Sequence, residues 1–389
     1  VVAEAAAARA PSLKKSHELA DDAAFPPPWS RTLSLSCDAP LLYGDFYSWQ
    51  RKMLTDAKQP AMPLGTIGTD DNTVASSSSN IFSSSGLGGK QVDLRPDLAL
   101  KVNPEKGARV GSTVFETEAF RKVRMTYFDA GDKVQVFNSL WYPRAECGDV
   151  PVLGIDLLCF GGNKVLAVVD CQPLAGRKVG AEAPSSPSPP SVFATIRDKY
   201  PSLCGTMSNR YYDANQFFSD AMLFGRFEAP SPSADPSAAG APPNPIMDEL
   251  FPAFQEYVGA YIEVVHANLE KNKKGLEGQA TVAAGVGVAS VASAGEGAKG
   301  EEWVAQRQAA YDQYSAERDP AHALFKAYFG EEWADDYMHD FLFDQSDRAL
   351  VAEHHANEQR KKREQAEVES AGAGRESGGG NPFAAGGGG

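Results

Sequence analysis

The sequence predicts an α/β fold, a three-layer α/β/α sandwich in which a central antiparallel sheet lies between two helical layers. Residues 118–170 form a series of strand-like segments joined by short turns, and short connections imply antiparallel pairing. Helix-like segments precede and follow this series, so helices can cover both faces of the sheet. The fold class therefore follows from the order of the segments and from the short turns between the strands.

Local patterns place the individual elements. Residues 41–57 have the apolar spacing of an amphipathic helix. Turn signals separate the strands at residues 130–132, 147–149 and 161–163, each with Gly next to Asp or Asn. Helical periodicity then predicts five helices, at residues 191–200, 215–224, 247–270, 301–315 and 320–343.

Four segments rich in Ser, Gly, Ala and Pro interrupt these elements, at about 66–89, 177–190, 228–245 and 271–300. We interpret them as surface insertions without fixed structure, because such compositions bury little apolar surface and long loops add little closure entropy. The rest of residues 41–344 suits a single domain. Residues 1–40 form an Ala-rich leader, either a transit-peptide remnant or a disordered segment. Residues 345–389 begin as a charged, helix-like tail and end in glycines.

Composition excludes several classes of protein. The net charge of −14 argues against a nucleic-acid partner, because phosphate binding needs a basic surface. No run of 18 apolar residues is present, so we predict no membrane span. Five cysteines without CxxC or CxxH spacing and six scattered histidines encode no metal or iron–sulfur site.

Asp156 is a candidate proton donor, because it lies in the middle of an otherwise apolar strand, Pro151 to Phe160. A lone carboxylate is costly to bury as a charge. Its pKa should therefore rise, or the side chain should face a ligand. The alternative is that Asp156 points to water from a half-exposed strand.

Asp319 is the second carboxylate of interest, and Pro320 follows it directly. Asp before Pro is a favourable start for a helix, with Asp as the N-cap and Pro at the first helical position. The same side chain could also face a ligand. The two interpretations do not exclude one another.

Other polar and aromatic residues could contribute to a pocket. Asn138 is polar within an apolar strand and could point towards Asp156, whereas Trp141 suits the core or a pocket wall. Phe218 belongs to an aromatic cluster that suits core packing or stacking on a flat conjugated ligand. Arg124 and Arg210 could bind carboxylates, although a single arginine is more often part of a surface ion pair.

A series of sequence blocks occurs in a characteristic order. The blocks are Phe-Arg-Lys-Val-Arg (120–124), Phe-Asn-Ser-Leu-Trp-Tyr-Pro (137–143), Pro-Val-Leu-Gly-Ile-Asp-Leu-Leu (151–158), Val-Val-Asp-Cys-Gln-Pro-Leu (168–174), Lys-Tyr-Pro-Ser-Leu-Cys-Gly (199–205), Asp-Ala-Asn-Gln-Phe-Phe-Ser (213–219), Leu-Phe-Gly-Arg (223–226), Glu-Arg-Asp-Pro-Ala (317–321) and Tyr-Phe-Gly-Glu-Glu-Trp (328–333). Together they resemble the ferredoxin-dependent bilin reductase family over residues 41–344, apart from the insertions.

The resemblance implies an α/β/α sandwich that binds an open-chain tetrapyrrole between its sheet and its C-terminal helices. It also implies single electrons from reduced 2Fe–2S ferredoxin and no metal or flavin bound to the protein itself. The protein would then deliver protons to the substrate. The catalytic pair implied by the resemblance is Asp156 on the sheet and Asp319 on the opposite side of the substrate. The substrate-binding candidates are Asn138, Arg124, Trp141, Arg210, Phe218 and His322.

Two departures from the family pattern narrow the expected reaction. Arg124 occupies a position where phycocyanobilin-forming members have a catalytic histidine, and residues 110–114 contain no Glu. The motifs look most like the phycoerythrobilin-forming branch, which reduces the A-ring diene of 15,16-dihydrobiliverdin. The alternatives are phytochromobilin synthase-type reduction of biliverdin and, in another class, a non-catalytic bilin carrier.

The expected partners are ferredoxin, the bilin and, as a further candidate, an upstream bilin reductase. Ferredoxin is acidic, so we expect a local basic surface and a turnover that weakens with salt. The candidate residues of this basic surface are Arg51, Lys52, Lys101, Lys106, Lys122 and Arg197. The ferredoxin partner, the insertions and the leader together suggest a plastid location, in the stroma.

Overall fold

The computed structural model describes residues 41–55, 87–173, 190–208, 210–213, 217–229, 243–285 and 291–376, and the side chains of all of these except 275–299 and 368–376. The predicted leader, most of the insertions at 66–89, 177–190 and 228–245, and the last part of the tail lie outside the described residues. None of the described helices combines the length and apolarity needed to cross a membrane.

In the described part of the chain, eight strands form one antiparallel sheet. The strands are β1 (Lys90–Val92), β2 (Leu100–Asn103), β3 (Ala108–Glu116), β4 (Phe120–Asp129), β5 (Val134–Pro143), β6 (Val152–Phe160), β7 (Lys164–Gln172) and β8 (Leu223–Glu228). The order across the sheet is β1-β3-β4-β5-β6-β7-β8, and β2 pairs with β3 beside β1. The predicted meander of strands between residues 118 and 170 is confirmed.

The helices of the described residues flank this sheet. They are α1 (Gly44–Thr55), α2 (Pro96–Ala99), α3 (Ser191–Lys199), α4 (Phe251–Gly285), α5 (Val291–Arg318), α6 (Ala321–Phe329), α7 (Glu331–Asp336) and α8 (Arg348–Glu376). Two π-helical turns, Ile246–Leu250 and Tyr337–Leu342, precede α4 and follow α7.

Each face of the sheet packs against its own helical layer. On one face, Phe137 and Ile155 join Phe46 of α1 and Phe254 of α4 in a large apolar cluster. On the other face, Phe128 and Tyr142 belong to the cluster that contains Phe325, Trp333, Tyr337 and Phe341. Burial of each such side chain stabilises the fold by roughly 1.5–3 kcal/mol. The predicted three-layer α/β/α sandwich is confirmed.

The structure corrects the prediction of a helix at residues 215–224. Among the described residues of this range before Leu223, only Phe217 is helical, residues 218–222 follow an irregular path of bends and turns, and Leu223 begins strand β8. The segment pairs with the free edge of β7, where Val168 lies opposite Phe224. Unpaired edge groups of a sheet favour such pairing, and this tertiary contact overrides the local helical pattern. Residues 214–216 lie outside the described part.

The structure also corrects the interpretation of residues 271–300. Helix α4 continues to Gly285 and helix α5 begins at Val291, so most of the supposed insertion is helical backbone. Alanine has the highest helix propensity, which explains why this Ala-rich composition extends both helices. The helix predicted over 320–343 is divided at Gly330, whose φ of +96° breaks the helical path.

Candidate active site

A small cavity lies between the sheet and the helical layer that contains α5. Its wall is formed by Arg124, Asn138, Leu140, Asp156, Gln172, Tyr212, Phe217, Phe218, Tyr311, Ser315, Asp319 and Phe343.

The register of the sheet brings Asp156 to this cavity. Successive side chains of a strand point to opposite faces, and Ile155 and Leu157 enter the apolar cluster on the other face. Asn138 of β5 lies directly opposite Asp156 of β6. Because helices cover this face, the partly buried Asp156 side chain lines the cavity instead of pointing to open solvent.

A chain of hydrogen bonds connects Arg124 to Asp156 through Asn138. The Arg124 guanidinium donates to Asn138 Oδ1, and Asn138 Nδ2 donates to Asp156 Oδ1. Arg124 is itself buried, with Nε donating to the Leu342 carbonyl at 3.0 Å. The amide of Asn138 is thereby oriented, and the positive charge lies one residue away from the carboxyl group.

The pKa of Asp156 is raised to about 7, above the ordinary aspartate value, chiefly because burial disfavours the charged form. The nearby Asp319 raises this pKa further, while the Asn138 hydrogen bond and the Arg124 charge lower it. A carboxyl group with a pKa near neutrality can both hold a proton and release it. Asp156 thus has the protonation behaviour of a general acid.

Asp319 combines the two roles considered from its sequence. Its Oδ1 accepts a hydrogen bond from the Ala321 backbone N–H at 2.8 Å, which caps the start of α6. The same side chain lines the cavity. Burial raises its pKa, and the Ala321 N–H, Arg124 and His322 lower it.

The two carboxyl groups share one cavity, and the charge of Asp319 disfavours ionisation of Asp156. The charge of Asp319 is the second-largest cause of the raised pKa of Asp156, after burial. Two interacting acids in one site lose their protons in separate steps. A substantial fraction of Asp156 therefore stays protonated near neutral pH, where isolated aspartates would be fully ionised.

Helix α8 holds the chain segment just before Asp319. A ring N–H of His355 donates to the carbonyl oxygen of Glu317 at 3.0 Å. This carbonyl belongs to the last turn of α5, where backbone acceptors lack helical partners. Val351 of the same helix is buried in the adjoining apolar cluster. The tail thus contributes to the position of the Asp319 segment.

The remaining predicted site residues are divided between the cavity and other parts of the fold. Phe218 lines the cavity, as do Arg124 and Asn138. Trp141 does not: it is fully buried on the opposite face, and its Nε1 donates to Gln50 Oε1 at 2.8 Å. The prediction for Trp141 is corrected, because an odd-numbered position of β5 points away from the face of Asn138.

Arg210 and His322 also lie outside the cavity wall. The exposed Arg210 guanidinium lies 5.1 Å from the centre of the Tyr211 ring. His322 Nε2 is 2.6 Å from Asp335 Oδ1, and the ring affects Asp319 only through its charge. A direct substrate contact is therefore not supported for either residue in this arrangement.

Five wall residues were absent from the sequence prediction: Leu140, Gln172, Tyr311, Ser315 and Phe343. The sequence does contain a signal for two of them, Tyr311 and Ser315. They precede Asp319 at intervals of four residues. Residues at this spacing share one face of a helix. Tyr212 and Phe217, identified as part of the aromatic cluster, also reach the wall.

The position of Gln172 depends on Gly154 of the neighbouring strand. A Cβ at Gly154 would lie 2.5 Å from Gln172 Oε1, and that oxygen accepts a hydrogen bond from the Tyr311 hydroxyl. We expect Gly154→Ala to lower the free energy of unfolding by about 1–3 kcal/mol, measured by urea denaturation. Gly259→Ala in α4 is the control, because a Cβ there meets no atom within 4 Å. It should be stabilising by about 0.5–1 kcal/mol, and equal effects of both variants would contradict this packing role.

Two residues of the predicted basic surface are buried. Lys122 Nζ donates to the Phe341 carbonyl at 2.6 Å and lies 3.1 Å from Asp344 Oδ1. Burial lowers the pKa of Lys122 to about 8. Arg51 is buried as well, whereas Lys52 and Lys106 are exposed. Lys122 and Arg51 are therefore removed from the candidate docking surface.

Within the described residues, no group of three or more His, Cys, Asp or Glu side chains is arranged to hold a metal ion. The titratable groups of the cavity wall are instead two carboxyls, one guanidinium and two tyrosines. Such a set can bind and transfer protons. That the protein binds no cofactor of its own stays a prediction.

Comparison with known proteins gives a consistent result. The family described as ferredoxin-dependent bilin reductase matches residues 80–344. The 15,16-dihydrobiliverdin:ferredoxin oxidoreductase of Nostoc punctiforme is 33% identical over 252 residues, which cover 64% of this chain and 85% of that protein. The enzyme of the same name from Parasynechococcus marenigrum is 34% identical over 266 residues, which cover 67% and 93%.

Among solved structures, phytochromobilin synthase from tomato in complex with biliverdin has a TM-score of 0.44 and 17% sequence identity, over 66% of this chain and 77% of that chain. The family match includes both cavity aspartates and the whole sheet. The chain belongs to the ferredoxin-dependent bilin reductase family.

Proposed function

We propose that this protein is a phycoerythrobilin:ferredoxin oxidoreductase, which reduces the A-ring diene of 15,16-dihydrobiliverdin to phycoerythrobilin. The observation that carries the proposal is the pair of carboxyl groups, Asp156 and Asp319, on the wall of one cavity. The names of relatives at 33–34% identity contain 15,16-dihydrobiliverdin, one of the two bilins of this reaction.

The reaction adds two electrons and two protons to the conjugated bilin. A 2Fe–2S ferredoxin delivers its electrons one at a time, so the substrate passes through a radical and becomes more basic as electrons arrive. The protein must then donate protons at the correct carbon atoms. Asp156 can donate from the side of the sheet, and Asp319 from the side of the helices.

Arg124 and Asn138 support the donor after it has lost its proton. The Asn138 N–H and the Arg124 charge both favour the ionised form of Asp156. They stabilise the carboxylate that remains after transfer, while burial favours the acid before transfer. The opposing effects keep the pKa of Asp156 near neutrality, where the proton can be replaced from solvent between turnovers.

The aromatic part of the wall suits a flat conjugated substrate. The rings of Tyr212 and Phe217 are stacked with centroids 4.5 Å apart, and those of Phe217 and Tyr311 are stacked at 5.5 Å. Phe218 meets Phe217 edge to face at 5.0 Å. Aromatic faces of this kind stack on conjugated ligands and keep water away from them.

The test offers 15,16-dihydrobiliverdin and biliverdin separately, with reduced ferredoxin and without oxygen. We expect conversion of 15,16-dihydrobiliverdin to phycoerythrobilin, and binding of biliverdin without its conversion. Conversion of biliverdin to a phytochromobilin-type product would favour phytochromobilin synthase-type reduction. Bound substrate without any change in absorbance would indicate a bilin carrier.

The remaining partners and the location are part of the same proposal. Ferredoxin is the electron donor, and an upstream bilin reductase supplies the dihydrobiliverdin. Exposed lysines such as Lys52 and Lys106 are candidates for ferredoxin docking, so turnover should weaken as the salt concentration rises. A location in the plastid stroma accords with a ferredoxin partner and with the leader of residues 1–40.

A further inference from the structure

Ser315 of α5 has an unusual position for a helical serine. Its side chain is only 1% exposed, and it lies on the wall of the cavity. Its hydroxyl has no hydrogen-bond partner among the described residues. Seven buried side-chain atoms of the described chain share this property, and Ser315 Oγ is the one on the cavity wall.

An unpaired buried hydroxyl needs an explanation. A serine inside a helix often donates to the carbonyl four residues earlier, but Ser315 makes no such bond to Tyr311. Leaving a buried hydroxyl unpaired costs about 1–3 kcal/mol. The cavity offers the missing partner, since a bound molecule can supply the acceptor.

Several hydrogen-bonding atoms near Ser315 already have partners within the protein. Tyr311, one turn before it, donates to Gln172, and Asp319, one turn after it, accepts from Ala321. Asp156 accepts from Asn138. The Ser315 hydroxyl has no such partner and is available to donate to a ligand, one helical turn before Asp319.

We propose that Ser315 is a substrate-binding residue that donates a hydrogen bond to the lactam carbonyl oxygen of the bilin ring being reduced. The proposal rests on the proposed function. An open-chain tetrapyrrole has a lactam carbonyl on each terminal ring, conjugated with the double bonds that accept electrons. Negative charge therefore develops on this oxygen when an electron arrives, and a hydrogen-bond donor stabilises it.

The Ser315→Ala variant separates a ligand-binding role from a structural one. In the free protein it removes an unpaired hydroxyl, so the melting temperature should stay the same or rise. Affinity for 15,16-dihydrobiliverdin, titrated by absorbance without ferredoxin, should fall about three- to tenfold. The rate of reduction at saturating substrate should fall about tenfold as well, and Ser315→Thr, which keeps the hydroxyl, should restore both quantities.

Ser139→Ala is the matched control. Ser139 is also fully buried, but on the opposite face of the sheet, where its hydroxyl donates to Gln50 Oε1 at 3.0 Å. This variant should lower the melting temperature and leave bilin affinity unchanged. The two serine variants are thus expected to have opposite effects on stability and on binding.

Two results would overturn the proposal. One is unchanged affinity and rate in Ser315→Ala when the wild-type protein binds and reduces the bilin. The other is a loss of stability in Ser315→Ala like that of Ser139→Ala, with affinity unchanged. Failure of the wild-type protein to bind either bilin would instead contradict the proposed function, so the two failures can be distinguished.

Discussion

Replacing Asp156 with Asn is expected to lower the rate of bilin reduction at least about 100-fold, because general acid catalysis contributes roughly 10²–10⁴. Asparagine has nearly the same shape, and its side-chain oxygen can still accept the hydrogen bond from Asn138. It cannot donate a proton as an acid. Bilin affinity should therefore change little. Single-turnover absorbance with reduced ferredoxin measures the rate, and titration measures the affinity.

Asp170→Asn is the control for this variant. Asp170 is a buried aspartate of the next strand, and burial raises its pKa to about 7 as well. Its oxygens accept hydrogen bonds from the backbone and hydroxyl of Ser219, and it is not on the cavity wall. Its replacement should leave the rate near that of the wild type. Equal losses of rate in both variants would show that reduction depends on buried carboxyl groups in general and not on a proton donor in the cavity.

Two substitutions at Asp319 separate proton donation from helix capping. Asp319→Asn should lower the rate of reduction at least about tenfold, while the free energy of unfolding changes little, because Asn caps helices as well as Asp. Asp319→Ala should lower the rate of reduction to a similar extent. It should also lower the free energy of unfolding by about 1 kcal/mol. Single-turnover absorbance measures the rate of each variant, and urea denaturation measures its free energy of unfolding.

A full rate in Asp319→Asn would contradict the donor role and leave Asp319 as a helix cap alone. A large loss of stability in Asp319→Asn would show that the bond to the Ala321 N–H needs the charged carboxylate. Either result would remove one of the two roles that the structure combines in this residue.

The sequence predicted the central part of the site because its pattern is local. Alternation along β5 and β6, with a short connection between them, places Asn138 and Asp156 on one face. The motif around Asp319 and Pro320 predicted both the helix start and a ligand-facing carboxyl group. The same alternation rule, applied to Trp141, would have placed this residue on the opposite face.

Other features depend on contacts between distant segments. Strand β8 forms because residues 223–228 pair with the edge of β7, and this tertiary contact overrides the helical pattern predicted for residues 215–224. The place of Gln172 depends on Gly154 of another strand. The unpaired hydroxyl of Ser315 becomes apparent only when the atoms around it are known.

The central claim is that a protonated Asp156 supplies a proton to the bilin, and the pH dependence of single-turnover reduction tests it most directly. Burial raises the pKa of Asp156 to about 7, so the donor is protonated below this pH and ionised above it. The wild-type rate should therefore be highest below about pH 7 and fall as the pH rises further, and this fall should be absent from the remaining rate of Asp156→Asn. A wild-type rate that is constant from about pH 5 to about pH 9, or a fall that persists unchanged in Asp156→Asn, would contradict the claim.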